Sequence, residues 1–304
     1  MTPAGRFAPS PSGELHVGNL RTAILAWLFA RSTGRDFLLR VEDLDRARAG
    51  AEAEQLRDLA AIGVTWDGAV VRQTDRGAVY DDAIRRLTDA GLTYECFCTR
   101  REIQEAPSAP HAPQGAYPGT CRNLGPAELD YKRSTRPAAV RLRSEVTAYT
   151  VQDVLQGEFT GVVDDFVLRR NDGVTAYNLA VVVDDAAQGI DQVVRGDDLL
   201  PSTPRQAYLA SLLDIPVPEY AHVPLVVNSD GARLAKRDGA VTLADLARGG
   251  VTVANVRDHI LHSLGLPAGN LAEALAVFQP GTLPRGPWVW DGIGPSHTAT
   301  PGLP

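Results

Sequence analysis

Two short stretches of this 304-residue chain carry side chains suited to handling phosphate. His16, Gly18 and Asn19 close the string RFAPSPSGELHVGN (Arg6 to Asn19), and Lys236 lies in RLAKR (Arg233 to Arg237). The first string joins a strand, a Pro/Gly turn and a helix start, and a helix N-terminus favours an anion because its first amides and its dipole point outward. Arginine fills 28 of the 30 basic positions, so the two lysines stand out. A compact ammonium on a long stem suits a group that must follow moving phosphates. Three thiols, Cys96, Cys98 and Cys121, supply three of the four ligands that a tetrahedral zinc takes. His111, between them, is the chemically ordinary candidate for the fourth, and the rival reading is three unliganded thiols in a loop. Arg6, Glu42 and Arg195 end apolar runs, where an open α/β sheet binds its ligand. Opposite charges gathered there suit a small molecule bearing both an ammonium and carboxylates; a structural Arg6/Glu42 ion pair is the alternative.

These residues need a frame. Arg6 to Ala8 read as a strand end that Pro9, Pro11 and Gly13 cannot continue. From Asn19, Leu20, Ala23, Ile24, Trp27 and Leu28 recur with helical spacing up to Gly34, with Asn19 expected to cap the start and Gly34 the end. Further helices are expected over 51–62 and 77–90, each followed by glycine, and over 242–264 and 271–277. The formal charge of −7 argues against a protein that grips nucleic acid by bulk electrostatics. Residues 96–150 nevertheless carry eight basic against five acidic side chains, which reads either as a solvated surface or as an RNA contact. No apolar run approaches a membrane span, and the N-terminus lacks a charged segment followed by an apolar one. A cytoplasmic protein with no membrane partner is expected, and its cysteines are then not expected to form a structural disulfide.

RFAPSPSGELHVGN resembles the signature of class I aminoacyl-tRNA synthetases, in particular the glutamyl branch, with His16, Val17, Gly18 and Asn19 at the HIGH tetrapeptide. RVEDLD (Arg40 to Asp45) resembles the strand that follows. AYNLAVVVDD (Ala176 to Asp185), also read as a strand, and VVRGDDLL (Val193 to Leu200) resemble the second half. RLAKR resembles the KMSKS loop, with Arg233 in place of the first lysine and Ala235 in place of the serine, so only Lys236 carries over. The resemblance implies that Arg6, Ser10, Glu42, Tyr177 and Arg195 surround L-glutamate, with Phe7, Ala8 and Pro9 alongside. It implies that His16, Gly18, Asn19 and Lys236, with Mg2+, handle ATP. The implied reaction is glutamyl-adenylate formation, which needs alignment and charge neutralisation rather than a general base.

The segment around the thiols resembles the zinc site of a truncated subfamily of that branch, in which a tyrosine precedes the last cysteine (CxC, then YxxxC). Tyr117 to Cys121 match that spacing, so Cys96, Cys98, Tyr117 and Cys121 are the implied Zn2+ ligands, with His111 still open. Members of that subfamily glutamylate the cyclopentenediol of queuosine at the wobble position of tRNA(Asp). The 68 residues after Lys236, and Val181 where the tRNA-charging enzymes tend to carry asparagine, favour this acceptor. Two other readings stay open: a short enzyme charging tRNA(Glu), and a catalytically silent paralogue that binds nucleotide or RNA, motivated by Ala235. The expected architecture is a Rossmann-type α/β catalytic domain with a mostly parallel sheet. Its first half covers 1–95, a zinc-bearing insertion 96–165, the second half 166–240, and a helical cap with a disordered tail 241–304.

Overall fold

The computed structural model describes residues 2–105, 117–234 and 241–293. In chain order the elements begin with β1 (Ala4–Phe7), α1 (Val17–Ser32), β2 (Asp36–Val41), α2 (Ala51–Ala61), β3 (Val71–Arg72), α3 (Gly77–Asp89) and β4 (Thr93–Cys96). They continue with α4 (Arg100–Glu105), α5 (Pro126–Thr135), β5 (Ala139–Leu142), β6 (Ala148–Asp153), β7 (Gly157–Val162), β8 (Val167–Arg169), α6 (Tyr177–Ala187) and β9 (Ile190–Gly196). The last are α7 (Thr203–Leu212), β10 (Glu219–Val223), β11 (Val226–Val227), α8 (Leu243–Arg248), α9 (Val253–Ser263), α10 (Leu271–Val277) and β12 (Trp288–Val289). Two compact units result.

The first unit comprises Met1–Arg72, Gln192–Asp198 and Glu219–Pro304. Its strands run β3-β2-β1-β9-β10, and the pairs β3/β2, β2/β1 and β9/β10 are all parallel. Chain order reverses between β1 and β9, and doubly wound sheets hold their ligands outside the carboxyl ends of the strands at such a reversal. Arg6 stands opposite Leu38 near the end of β1, and Arg195 opposite His222 near the end of β9. Helix α1 packs on β1 and β2 and also meets α9, α10 and β11. That explains why apolar residues cover it on nearly every side: it is an internal helix rather than a surface one. Gly34 follows its last turn with φ +71°, a conformation that costs a side chain but not glycine.

The second unit comprises Gln73–Asp191 and Leu199–Pro218. It holds the antiparallel hairpin β6/β7, the antiparallel sheet β4-β5-β8, and helices α3, α6 and α7 packed among them. Asp184 on α6 is completely buried and accepts from Gln73 Nε2 (2.8 Å), Tyr80 Oη (2.7 Å) and the Arg76 guanidinium.

Several elements differ from expectation. Ala176 to Asp185 is not a strand: α6 begins at Tyr177, and every residue from Leu179 to Asp185 is buried, so packing on all sides of the helix outweighs the β-propensity of the three valines. Of RVEDLD only Arg40 and Val41 lie in β2. The pattern over 242–264 is two helices, since Gly249 and Gly250 end α8 and Thr252 caps α9 afresh through the Asn255 amide. Helices α2, α3 and α10 lie where the apolar spacing places them. Trp288 and Val289 form a strand parallel to β11, which the Pro/Gly-rich surroundings did not signal. Among the described residues no helix is long and apolar enough to cross a membrane.

Candidate functional site

Helix α1 is capped by His16, not by Asn19. The His16 backbone is extended, its Nδ1 accepts from the Asn19 amide (3.3 Å), and the Asn19 Oδ1 accepts from the His16 amide (3.2 Å). Asn19 is thus the third helical residue of a reciprocal capping box. An Nδ1 that accepts leaves the proton of the neutral ring on Nε2, so the imidazole presents a donor there. Gly18 makes room for the ring: a Cβ at that position would lie 2.9 Å from His16 Cε1 and 3.3 Å from Val226 Cβ. The amides of the first turn are less available than a bare helix start suggests, because Val17 donates to the Val241 carbonyl (2.9 Å) and Asn19 to His16.

The turn before His16 is held rigidly. Glu42 N donates to Pro9 O (3.0 Å) and Arg48 N to Pro11 O (2.8 Å). Gln55, buried on α2, donates to Ser10 O (3.1 Å) and Gly13 O (2.6 Å). Phe7 is buried, Ala8 and Pro9 are half-buried, and Ser10 is exposed.

Arg6 and Arg195 are both buried, at 4% and 5% exposure, on the two strands that flank the switch point. Such burial of guanidinium groups is costly unless anionic or hydrogen-bonding partners meet them. Arg195 Nε donates to Nε2 of the fully buried His222 (3.1 Å), and its guanidinium lies 5.5 Å from the Tyr220 ring centroid. Glu42, just beyond β2, accepts from the buried Arg40 at 3.3 Å. Burial, and then the neighbouring Asp198 carboxylate, push the Asp197 carboxyl up after β9. Tyr177, the first residue of α6, belongs to the second unit and is exposed.

Lys236 and Ala235 lie outside the described residues. Their flanks are described. Leu234, buried, donates to Val226 O (3.1 Å), and Arg233, which bridges to Val227, pairs with Asp198 at 2.5 Å. On the far side Val241 is buried and Thr242 bridges to His16. Both ends of the lysine-bearing segment are therefore tied to β11 or to the start of α1, the same two elements that meet at Gly18.

The three thiols converge in the second unit. Cys96, Cys98 and Cys121 have their sulfurs within 4.8 Å of one another, and the Cys98 and Cys121 sulfurs are 3.5 Å apart. Tyr117 Oη lies 3.3 Å from Cys96 Sγ and 3.7 Å from Cys98 Sγ, and it accepts from the Cys121 amide (2.8 Å). Ligands about 2.3 Å from a tetrahedral zinc would lie roughly 3.8 Å apart, so these separations suit one ion. The Arg141 guanidinium sits 3.7 Å above the Tyr117 ring centroid. Burial pushes the Cys98 thiol up to about 12, whereas hydrogen bonds from Tyr117, the Cys98 backbone and Arg141 outweigh burial at Cys96 and lower it. His111 lies outside the described residues.

Most of the basic excess over 96–150 is internally committed. Arg101, Arg122, Arg133 and Arg136 pair with Glu105, Asp165, Glu95 and Glu102, and Arg141 is buried. Sequence reasoning missed Gln55, His222, Asp184 and the buried Arg21. Arg21 donates to Pro224 O (2.8 Å), and burial lowers it to about 10 against the opposing pull of Asp197. Each is a polar residue inside an apolar pattern, a signal that points to a buried partner without saying which.

A model of the family described as tRNA synthetases class I (E and Q), catalytic domain, matches residues 4–264. A protein of Nocardia farcinica named glutamyl-Q tRNA(Asp) synthetase is 66% identical over 287 residues, covering 94% of this chain and 92% of its own length. One of the same name from Cutibacterium acnes is 53% identical over 269 residues, covering 87% of this chain and 76% of its own. Among solved structures, a glutamate tRNA ligase from Elizabethkingia meningosepticum in complex with its amino acid aligns with a TM-score of 0.79 at 27% identity, covering 95% of this chain and 67% of that one. A family match over most of the sequence, and a sheet whose strand order reverses between β1 and β9, lead to one conclusion: the chain belongs to the class I tRNA synthetases of the E and Q type, a family of ligases.

Proposed function

We propose that this chain activates L-glutamate with ATP and transfers the glutamyl group to the cyclopentenediol of queuosine at the wobble position of tRNA(Asp), in the cytoplasm. The observation that carries the reading is the 66% identity, over nearly the whole of both chains, to a relative named for that reaction. Arg6 and Arg195 meet the two carboxylates of glutamate and Glu42 meets its ammonium, each charge finding its opposite in a desolvated place. Phe7, Ala8, Pro9 and Ser10 shape the turn beside them. Tyr177 is assigned to the same substrate by its match to the family pattern alone.

A carboxylate oxygen of glutamate attacks the α-phosphorus of ATP, the bond to the bridging oxygen breaks, and pyrophosphate leaves. The carboxylate is already ionised, so the enzyme's task is alignment and charge stabilisation. His16 donates from Nε2 to a phosphate oxygen, Gly18 lets the chain approach, Asn19 holds the ring, and Lys236 follows the departing pyrophosphate. Mg2+ bound with ATP supplies further charge neutralisation. A queuosine hydroxyl then attacks the acyl carbon of the adenylate and AMP leaves. Cys96, Cys98, Tyr117 and Cys121 would hold Zn2+, whose contribution there is a cross-link within the inserted segment 96–165.

The first step is tested by glutamate-dependent exchange of labelled pyrophosphate into ATP without RNA. Exchange is expected in the wild type and its loss in Lys236→Ala; a folded, metal-loaded wild type without exchange would contradict the activation chemistry.

A further inference from the structure

Arg195 and His222 face each other across the parallel pair β9/β10, and the guanidinium Nε donates to the imidazole Nε2 at 3.1 Å. His222 has no exposed surface, and its ring stacks on Tyr220 with centroids 5.9 Å apart and planes 22° apart. The rest of β10 from Tyr220 to Val223 is Tyr, Ala and Val, so an apolar residue would fill this position by pattern. A polar ring here serves its neighbour. We infer that His222 is a positioning residue that aims Arg195 at a carboxylate of the amino-acid substrate without neutralising it. The inference rests on the reading in which Arg195 meets that substrate.

The chemistry of the acceptor carries the argument. A guanidinium binds a carboxylate through a pair of N–H groups, either along its Nε side or across its two Nη atoms. With Nε committed to His222, a carboxylate can be met in a bidentate way only across the Nη1/Nη2 edge. An Nε2 that accepts belongs to a neutral imidazole, so the cation keeps its whole charge. Aspartate or glutamate in that place would fix the guanidinium equally well but would compete with the incoming carboxylate. Stacking on Tyr220 prevents the ring from turning away, and burial prevents water from taking its place.

The test compares three substitutions in glutamate-dependent pyrophosphate exchange, with the fold of each checked by circular dichroism. His222→Leu removes the acceptor, His222→Gln keeps a neutral one, and His222→Glu keeps an acceptor but adds a charge. The expected result is a KM for glutamate raised about tenfold or more in His222→Leu and His222→Glu, with the KM for ATP within about twofold and near-wild-type behaviour in His222→Gln. Should His222→Leu fail to fold, the contrast between Gln and Glu decides. Arg195→Ala, run in parallel, separates the two layers. If it leaves the glutamate KM unchanged, the substrate role of Arg195 is wrong. If it raises that KM while His222→Glu and any folded His222→Leu do not, the positioning role is overturned.

Discussion

Because Nδ1 of His16 is held by the Asn19 amide, the same ring that closes α1 has only one proton to offer, at Nε2. The two roles separate by substitution. His16→Asn keeps a good helix cap, and its shorter side chain no longer places an N–H where the ring carries Nε2. We expect its melting temperature to stay within about 2 °C of the wild type while pyrophosphate exchange falls by about a hundredfold, the scale seen when one donor to a developing charge is removed. Equal loss of stability and activity would show the ring to be structural. At the thiol cluster, Tyr117→Phe and His111→Ala distinguish the fourth ligand: the geometry around Tyr117 Oη leads us to expect weaker zinc retention against a chelator in the first and unchanged retention in the second. The thiol cluster was legible because cysteine is rare in this chain and the spacing is short, whereas Arg6, Glu42 and Arg195, common in type and far apart in sequence, stood out only through their places at the ends of apolar runs and the family pattern. His222, Gln55 and Arg21 were not, because the worth of a buried polar side chain depends on a partner that only the folded chain brings to it.

At the level of elements, apolar period and glycine punctuation located α1, α2, α3 and α10. They misread α6, where three successive valines imitate a strand, and they joined α8 to α9 across two glycines. Asp184 anchors the packed helix, since its buried carboxylate joins α6 to Gln73, Arg76 and Tyr80. Asp184→Ala leaves three donors facing an apolar void and should cost about 3–5 kcal/mol in urea unfolding; a change under about 1 kcal/mol would show that α6 needs no such anchor. Near the end of α2, Asp58 is half-buried and close to Glu14. Burial first, and the Glu14 charge second, push its carboxyl up to about 6. The native state therefore holds this proton more tightly than the unfolded chain does. The stability this contributes is complete below about pH 4 and is lost as pH rises through about 6. Asp58→Asn should accordingly be more stable than the wild type at pH 7, by on the order of 1 kcal/mol after solvent screening. The gap should close toward pH 4, and a gap that widened in acid would refute the assignment.

Taken whole, the parallel arrangement β3-β2-β1-β9-β10 sets two buried arginines on either side of a reversal in strand order, and the histidine-capped helix starts from the same strand ends. The motifs made that sheet legible, since a strand, a Pro/Gly turn and a helix N-terminus have few other ways to assemble. They could not reveal that the chain returns at Thr242 to pair with His16, or that Trp288 adds a strand to β11. Both are long-range pairings with no local signature. The identity of the acceptor is the central claim, and its most direct test is transfer of labelled glutamate to purified tRNA. The expected outcome is labelling of queuosine-bearing tRNA(Asp), with no labelling of its unmodified transcript or of tRNA(Glu). Labelling of tRNA(Glu) with queuosine-bearing tRNA(Asp) left blank would contradict it.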